Sequence, residues 1–204
     1  MDPLGLFIGR SGGSQSTSTH DFRVESCALI PTLDTTRLML RPMKKSDIED
    51  FVRIFADPKV MASFDAPAFD RNDLERWIQR NLIHQNTFGY GLFSVILKFN
   101  DMLIGNCGLQ RMEIGGVEVV ELGYEFRSDY WNKGYATEAA GAVRDFAFQQ
   151  LHLPQLTSLV RVDNLGAMRV SEKIGMSRTA DITHNNRQYW QYFVDRNLEI
   201  TNPG

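Results

Sequence analysis

Residues 119–148, VVELGYEFRSDYWNKGYATEAAGAVRDFAF, read as a strand, a loop and a helix. Val119 to Phe126 is apolar and β-prone, as suits a buried strand. Arg127 to Lys133 is a polar loop containing Ser128, Asp129 and Asn132. Gly134 then opens a run in which Ala136, Ala139, Ala140, Val143 and Ala147 recur at helical spacing, with one face turned to a core. The helix start is built of small residues, Gly134, Ala136 and Thr137, around one aromatic, Tyr135. A helix start carries unpaired N–H groups and the positive end of the macrodipole. With no bulky side chain in the way, those groups can approach an anion closely, and the sensible anion is a phosphate or pyrophosphate. A glycine there is also an ordinary packing or capping choice. The stretch is not a Walker A loop, because no Gly-Lys-Ser/Thr follows, and it lacks the three spaced glycines of a dinucleotide fingerprint.

A second stretch, VDNLGAMRVSEKIGM at 162–176, adds to this signal. The two together resemble the GNAT (Gcn5-related N-acetyltransferase) superfamily. Trp131-Asn132-Lys133-Gly134-Tyr135-Ala136-Thr137-Glu138-Ala139 is similar to that superfamily's pyrophosphate loop. The form with Trp, where other branches carry Gln or Arg, resembles the RimJ/RimL branch, which acetylates protein N-terminal amines. Asn164, Ala167, Glu172, Lys173 and Gly175 fit the second motif of that branch. The resemblance extends over residues 33–200 and includes the order of the elements. It implies an α/β GNAT fold, with a mixed, mostly antiparallel sheet, and acetyl-CoA as co-substrate.

Composition sets bounds. A length of 204 residues suits one domain, or one domain with a tail. Hydrophobic content of 43% with 23% charged residues is near the globular norm, so a sizeable core is expected. A net charge of −3 argues against a nucleic-acid binder driven by overall charge. Cys27 and Cys107 show no metal-binding spacing, and Cys107 sits in the apolar run LIGNCGL as a small buried residue. A reducing cytoplasm is the simplest home for such a chain, and no apolar run is long enough to span a bilayer.

Residues 1–32 are expected to form a flexible extension, dispensable for the fold, because SGGSQSTSTH at 11–20 has the composition of a linker. The acetyltransferase domain is placed at 33–204. Thr36 to Pro42 alternates, with Leu38 and Leu40 on one face and Arg37, Met39 and Arg41 on the other. Ser46-Asp47-Ile48-Glu49 reads as a capping box opening a helix that ends at Asp57-Pro58. Asp70 or Asn72 starts the next helix. Between them, Met61, Phe64, Pro67 and Phe69 make Val60–Phe69 unusually apolar, either for packing or as one wall of a substrate cleft. Gly91–Phe99, Met102–Arg111 and Val117–Phe126 form a meander, turned at Asn100-Asp101 and Gly115-Gly116. After the central helix come a strand at 155–162, a helix at 164–174, a strand at 176–183, a turn at His184-Asn185-Asn186 and a final strand at 187–195. The sum is a mixed α/β chain of about seven strands and four helices on pattern grounds.

Acetyl transfer from a thioester to an amine makes definite demands: a phosphate site, hydrogen bonds for the pantetheine arm, a neutral amine, a donor to the oxyanion and help for the leaving thiolate. Phosphate binding falls to the backbone of Asn132 through Thr137. Lys133 either adds charge there or is a solvated surface lysine. Pantetheine is peptide-like, so an exposed edge on the central strand suits it. The resemblance places this strand, Leu122, Gly123, Tyr124, Glu125 and Phe126, splayed from its neighbour, with a backbone N–H near Gly123–Glu125 facing the thioester oxygen. It also gives Asn164 a bond to the cofactor, beside the plain reading of Asn164 as a helix N-cap.

Glu121 and Glu125 share one face of the strand by parity. A carboxylate in an apolar strand is costly to bury unless paired. On the residues alone, a salt bridge to an arginine is the simpler account. With the resemblance, Glu121 is the first candidate for general base and Glu125 the second. Many members of the superfamily place a tyrosine as the thiolate's acid in the helix after the asparagine; here that position is Ser171. A serine hydroxyl can donate a hydrogen bond or order a water, but is a much weaker acid. This suits an N-terminal amine, pKa about 7.7–8.0, better than lysine at about 10.4. The expected function is therefore transfer of an acetyl group from acetyl-CoA to a protein or peptide N-terminal amine, by direct attack in a ternary complex. The alternatives are a small-molecule acetyltransferase acting on a polyamine, amino sugar or amino acid, and a non-catalytic acyl-CoA-binding module. No metal, nucleic acid or membrane enters the reading, and a monomer or a homodimer is expected.

Overall fold

Leu38 and Leu40 are wholly buried in one hydrophobic cluster, while Met39 between them packs against another. Both faces of the sheet are therefore core, as the alternation along this strand implies. The computed structural model describes residues 30–62, 69–184 and 187–197. In chain order these residues form β1 (Leu33–Asp34), β2 (Leu38–Pro42), a 3-10 turn (Lys45–Asp47), α1 (Ile48–Phe55), α2 (Pro58–Ala62) and α3 (Arg71–Phe88). Then come β3 (Leu92–Leu97), β4 (Met102–Ile114), β5 (Val117–Phe126), a 3-10 turn (Ser128–Tyr130) and α4 (Tyr135–Gln149). The chain continues through β6 (Gln155–Arg161), α5 (Leu165–Lys173), β7 (Ser177–His184) and β8 (Arg187–Asp195).

The strands make one sheet in the order β1-β2-β3-β4-β5-β6-β8-β7, antiparallel except where β5 meets β6. This is the mixed, mostly antiparallel α/β architecture expected from the sequence. Against about seven strands and four helices, the described residues hold eight strands and five α-helices. The additions are β1, two residues long, and α2, five residues long. Neither is long enough to show a period; α2 starts on Pro58, whose missing N–H costs nothing at a helix start.

One core layer sets Ala139, Ala140, Val143 and Phe146 of α4 against Leu38, Leu40, Phe93, Val95, Ile104 and Leu122 of the sheet. The other packs Phe51, Ile54 and Phe55 of α1 and Leu74, Trp77 and Ile78 of α3 against Leu92, Ile96 and Leu103. β3 lies between the two layers, so all six of its residues are buried. Val60, Met61 and Phe69 belong to the second layer, which is the packing reading of that apolar segment; residues 63–68, with Phe64 and Pro67, lie outside the described residues. Of the N-terminal extension only residues 30–32 are described, and Ile30 packs against the main layer.

The meander turns as expected. Gly115 and Gly116 both take positive φ, 58° and 83°, the conformation a two-residue hairpin turn requires. α3 starts at Asp70, whose carboxylate accepts from the Asp73 N–H at 2.8 Å while Asp73 returns the bond at 3.1 Å. The entry to α1 corrects the sequence reading. The chain makes a 3-10 turn first, and Asp47, not Ser46, is the capping side chain, accepting from the Lys44 N–H at 2.9 Å. Asp47 is drawn inward by partners distant in the chain: a two-pronged pair with Arg41 at 2.6 and 2.8 Å, and the Ser94 hydroxyl at 2.7 Å. Residues 185–186 of the expected last turn are outside the described residues.

Candidate active site

β6 is held along its whole length by β8, from Gln155↔Asp195 to Arg161↔Tyr189. Its other edge meets β5 only at Glu121↔Thr157. Beyond that pair the two parallel strands part, and the edge of β5 from Leu122 onward is left unpaired on that side. A cavity of about 400 Å³ fills the gap, bordered by β5, β6, the start of α4 and α5. An unpaired strand edge offers N–H and C=O groups to an extended, amide-bearing ligand. Leu122 and Phe126 place their side chains in the main core and border the cavity, so a backbone edge is what they offer; Gly123 borders it with no side chain at all. The Trp131 indole N–H donates to the Phe126 carbonyl at 2.8 Å and ties the following loop to the end of the strand.

At one end the cavity reaches the start of α4, where Asn132, Gly134, Tyr135, Ala136 and Thr137 border it. Asn132 and Gly134 adopt positive φ, 60° and 81°, which turns the chain sharply into the helix. Gly134 is the N-cap and supplies no side-chain acceptor, so the first-turn N–H groups are left to solvent or to a ligand. Lys133 does not border the cavity; its ammonium lies over the Tyr130 ring, 5.1 Å from the centroid.

Arg37 is the residue at this end that sequence reasoning missed. It donates to the Lys133 carbonyl at 2.9 Å, pairs with Glu138 at 2.6 Å and stacks on Tyr135 at 4.5 Å. Thr35 adds a hydroxyl bond to Glu138 at 2.7 Å. Burial opposes ionisation of Glu138, but these bonds outweigh it and hold the carboxyl below its usual range. The two ends of this clamp are 101 residues apart, so no local pattern announces it. Arg37→Ala is expected to leave the fold intact and raise the Kd for CoA roughly fivefold, about 1 kcal/mol for a partly exposed pair. Calorimetry with a parallel melting curve checks this; an unchanged Kd would mean that the loop holds its shape unaided.

Glu121 and Glu125 lie at the point where the strands part, and both border the cavity. Glu121 is 4% exposed; it accepts a bond from the Leu159 N–H, and its Oε2 has no hydrogen-bond partner. Burial, then the neighbouring Glu125 charge, pushes the Glu121 pKa up to about 8 against the pull of that N–H. Burial likewise raises Glu125 to about 7, opposed by Asn106 directly across the strand pair. Asn106 itself makes no full hydrogen bond, and the Gln110 carbonyl oxygen, opposite Glu121, also lacks a partner. Among the described residues neither glutamate has an ion-pair partner, so the arginine bridge expected from the residues alone is absent at buried Glu121 and half-buried Glu125. Val60 of α2 and Tyr189 of β8 also border the cavity. Cys107 is buried, and burial pushes its thiol well up, which keeps it unreactive.

Asn164 borders the cavity and caps α5, accepting from the Ala167 N–H at 3.0 Å, as the plain reading has it. Ser171 is 1% exposed and does not border the cavity. Tyr124 stands between, its hydroxyl donating to the Ala167 carbonyl at 3.2 Å. Among the described residues no three His, Cys, Asp or Glu side chains gather as a metal-ligand set, and no helix is long and apolar enough to cross a membrane.

A model of the acetyltransferase (GNAT) domain matches residues 37–177. The uncharacterized protein YkkB of Bacillus subtilis is 31% identical over 156 residues, 76% of this chain and 90% of that protein. An acetyltransferase from Agrobacterium tumefaciens superposes with a TM-score of 0.71 at 27% identity, over 89% of this chain and 99% of that one. At 14% and 19% identity, a RimL ribosomal L7/L12 alpha-N-protein acetyltransferase and a spermidine N-acetyltransferase SpeG chimera from Vibrio cholerae and hSSAT share the fold alone, with TM-scores of 0.69 and 0.66.

Proposed function

The chain belongs to the GNAT acetyltransferases, and from that membership we propose that it carries an acetyl group from acetyl-CoA to the N-terminal amine of a protein or peptide. In this reading the backbone of Asn132–Thr137 takes the pyrophosphate, the open edge of β5 from Leu122 to Phe126 takes the pantetheine arm, and Asn164 adds a side-chain contact. A backbone N–H of Gly123–Glu125 faces the thioester oxygen. Glu121 is the base, with Glu125 as its neighbour in charge. Acetyl-CoA supplies the activated acyl group; the chain positions it and moves the proton.

The observation that carries the reading is the buried carboxyl of Glu121, with one oxygen unpartnered, at the fork of two parting strands. With its pKa near 8, Glu121 is matched to an N-terminal amine at about 7.7–8.0, so a proton passes between them at little cost. Lysine, at about 10.4, holds its proton too tightly for this base. The same acidic cleft, with Tyr189 beside Glu121 and Glu125, supports a second reading, a small-molecule amine as acceptor.

A thiol-release assay with N-terminal peptides, polyamines, amino sugars and amino acids decides. Peptides with a free N-terminus are expected to give the highest kcat/KM, and N-blocked peptides carrying only a lysine amine to give little. A preference for a polyamine or amino sugar would transfer the proposal to the second reading. Binding of CoA with no thiol release from any amine would leave a non-catalytic module.

A further inference from the structure

We propose that the Tyr124 hydroxyl, on β5, is the hydrogen-bond donor to the leaving sulfur of CoA, and that Ser171 acts behind it as a positioning residue. This rests on the acetyl-transfer reading above. It places the donor on the strand, not on helix α5.

Tyr124 borders the cavity, whereas Ser171 does not. By strand parity Tyr124 projects to the face opposite Glu121 and Glu125. An amine served by Glu121 therefore arrives from one side of β5, and a sulfur received by Tyr124 departs toward the other. The Tyr124 hydroxyl has one full bond, to the Ala167 carbonyl at 3.2 Å, which is long for an O–H···O contact. A bond that loose is readily given up for a better acceptor. Ser171 lies four residues after Ala167, on the same face of α5. Its hydroxyl is buried and makes no full hydrogen bond, yet it is close enough to Tyr124 to restrain the rise in that phenol's pKa. A small serine there leaves room for a tyrosine from the strand and gives its oxygen a neighbour when the Ala167 bond is released. Burial above all, with Cys107 and Glu125 adding to it, pushes the Tyr124 pKa well up, so the phenol stays neutral and keeps its proton.

The amine nitrogen bonds to the thioester carbon, the C–S bond breaks, and its electron pair leaves on sulfur. The proton lost by nitrogen ends on Glu121. Tyr124 lends a hydrogen bond to the sulfur without parting with its own proton. A thiol of pKa roughly 8.5 can depart as a thiolate and take a proton from solvent on release.

The test follows the thiolate absorbance of bound CoA against pH. In the wild-type protein the bound thiol is expected to titrate below its free value of roughly 8.5. In Tyr124→Phe the titration should move up by about one unit, a tenfold loss of thiolate at fixed pH, with kcat down by a similar factor and the Kd for CoA within about twofold. Ser171→Ala should move it in the same direction by about threefold, as expected for a group acting through another. Should Tyr124→Phe fail to fold, 3-fluorotyrosine at position 124, a stronger donor of the same shape, should move the titration down. An identical thiol titration in the wild type and in the folded Phe or fluorotyrosine variant would overturn the proposal. A wild-type protein that binds no CoA would instead overturn the acetyl-transfer reading on which it rests.

Discussion

Glu121→Gln is expected to lower kcat/KM toward an N-terminal peptide by roughly 10²-fold or more near pH 8, the usual size of a general-base contribution. The amide keeps the shape and can still accept from the Leu159 N–H, but it cannot take a proton. The loss should grow as the pH rises toward about 8, because below that value most of the wild-type Glu121 is already protonated and cannot act as a base. Stability should move the other way. The Glu121 pKa is raised in the folded protein from the usual 4.5 to about 8. A raised folded-state pKa makes the wild type most stable below the unfolded value, and that stability is lost as the pH rises from about 4.5 through about 8. Glu121→Gln, which holds the neutral form permanently, should melt with the wild type near pH 4.5 and above it at pH 8. A structural ion pair predicts the opposite, a variant destabilised at pH 8 with an activity loss independent of pH. A variant with near wild-type rates at pH 8, where the wild-type carboxyl ionises, would remove Glu121 from the mechanism. Glu125→Gln would be tested next, and after it a site that works by positioning alone.

Ala136→Glu should raise the Kd and KM for acetyl-CoA by on the order of 100-fold, the effect of a few kcal/mol of like-charge repulsion near the surface. Ala136 borders the cavity in the first turn of α4, where the proposed pyrophosphate meets the backbone. Glutamate there adds bulk and a negative charge facing the phosphates. The fold should survive, because an acidic side chain in the first turn complements the helix dipole. Ala136→Ser, small and uncharged, should bind almost as the wild type does. Unchanged affinity of a folded Ala136→Glu variant by calorimetry would remove the phosphates from this helix start.

Local chemistry made much of this protein legible. The period of two along Leu38–Arg41 assigned those side chains to the two faces they occupy, because pleating alternates whatever the neighbours are. The period of 3.6 from Ala136 to Ala147 found the face that α4 buries. The parity of Glu121 and Glu125 put two carboxyls on one face before any partner strand was known. Asn164 could be seen as a cap because capping spans only three residues.

What the sequence could not supply was decided by strands and side chains that meet across long separations. Ser46 had the better local pattern for a cap, yet Asp47 holds the position, because Arg41 and Ser94 reach it from two strands. β6 is bonded along its length to β8 and to β5 only at Glu121↔Thr157, a pairing between strands distant in the chain that no local pattern announces. The clamp of Arg37 on the loop before α4 joins positions that each look ordinary alone. An arginine partner for Glu121 was a fair expectation from the average behaviour of buried acids. The fold placed Gln110, Thr157 and the Leu159 N–H beside it instead. A residue's own type sets the cost of burying it, but the neighbours that the tertiary structure supplies decide whether that cost is cancelled or left standing as a raised pKa.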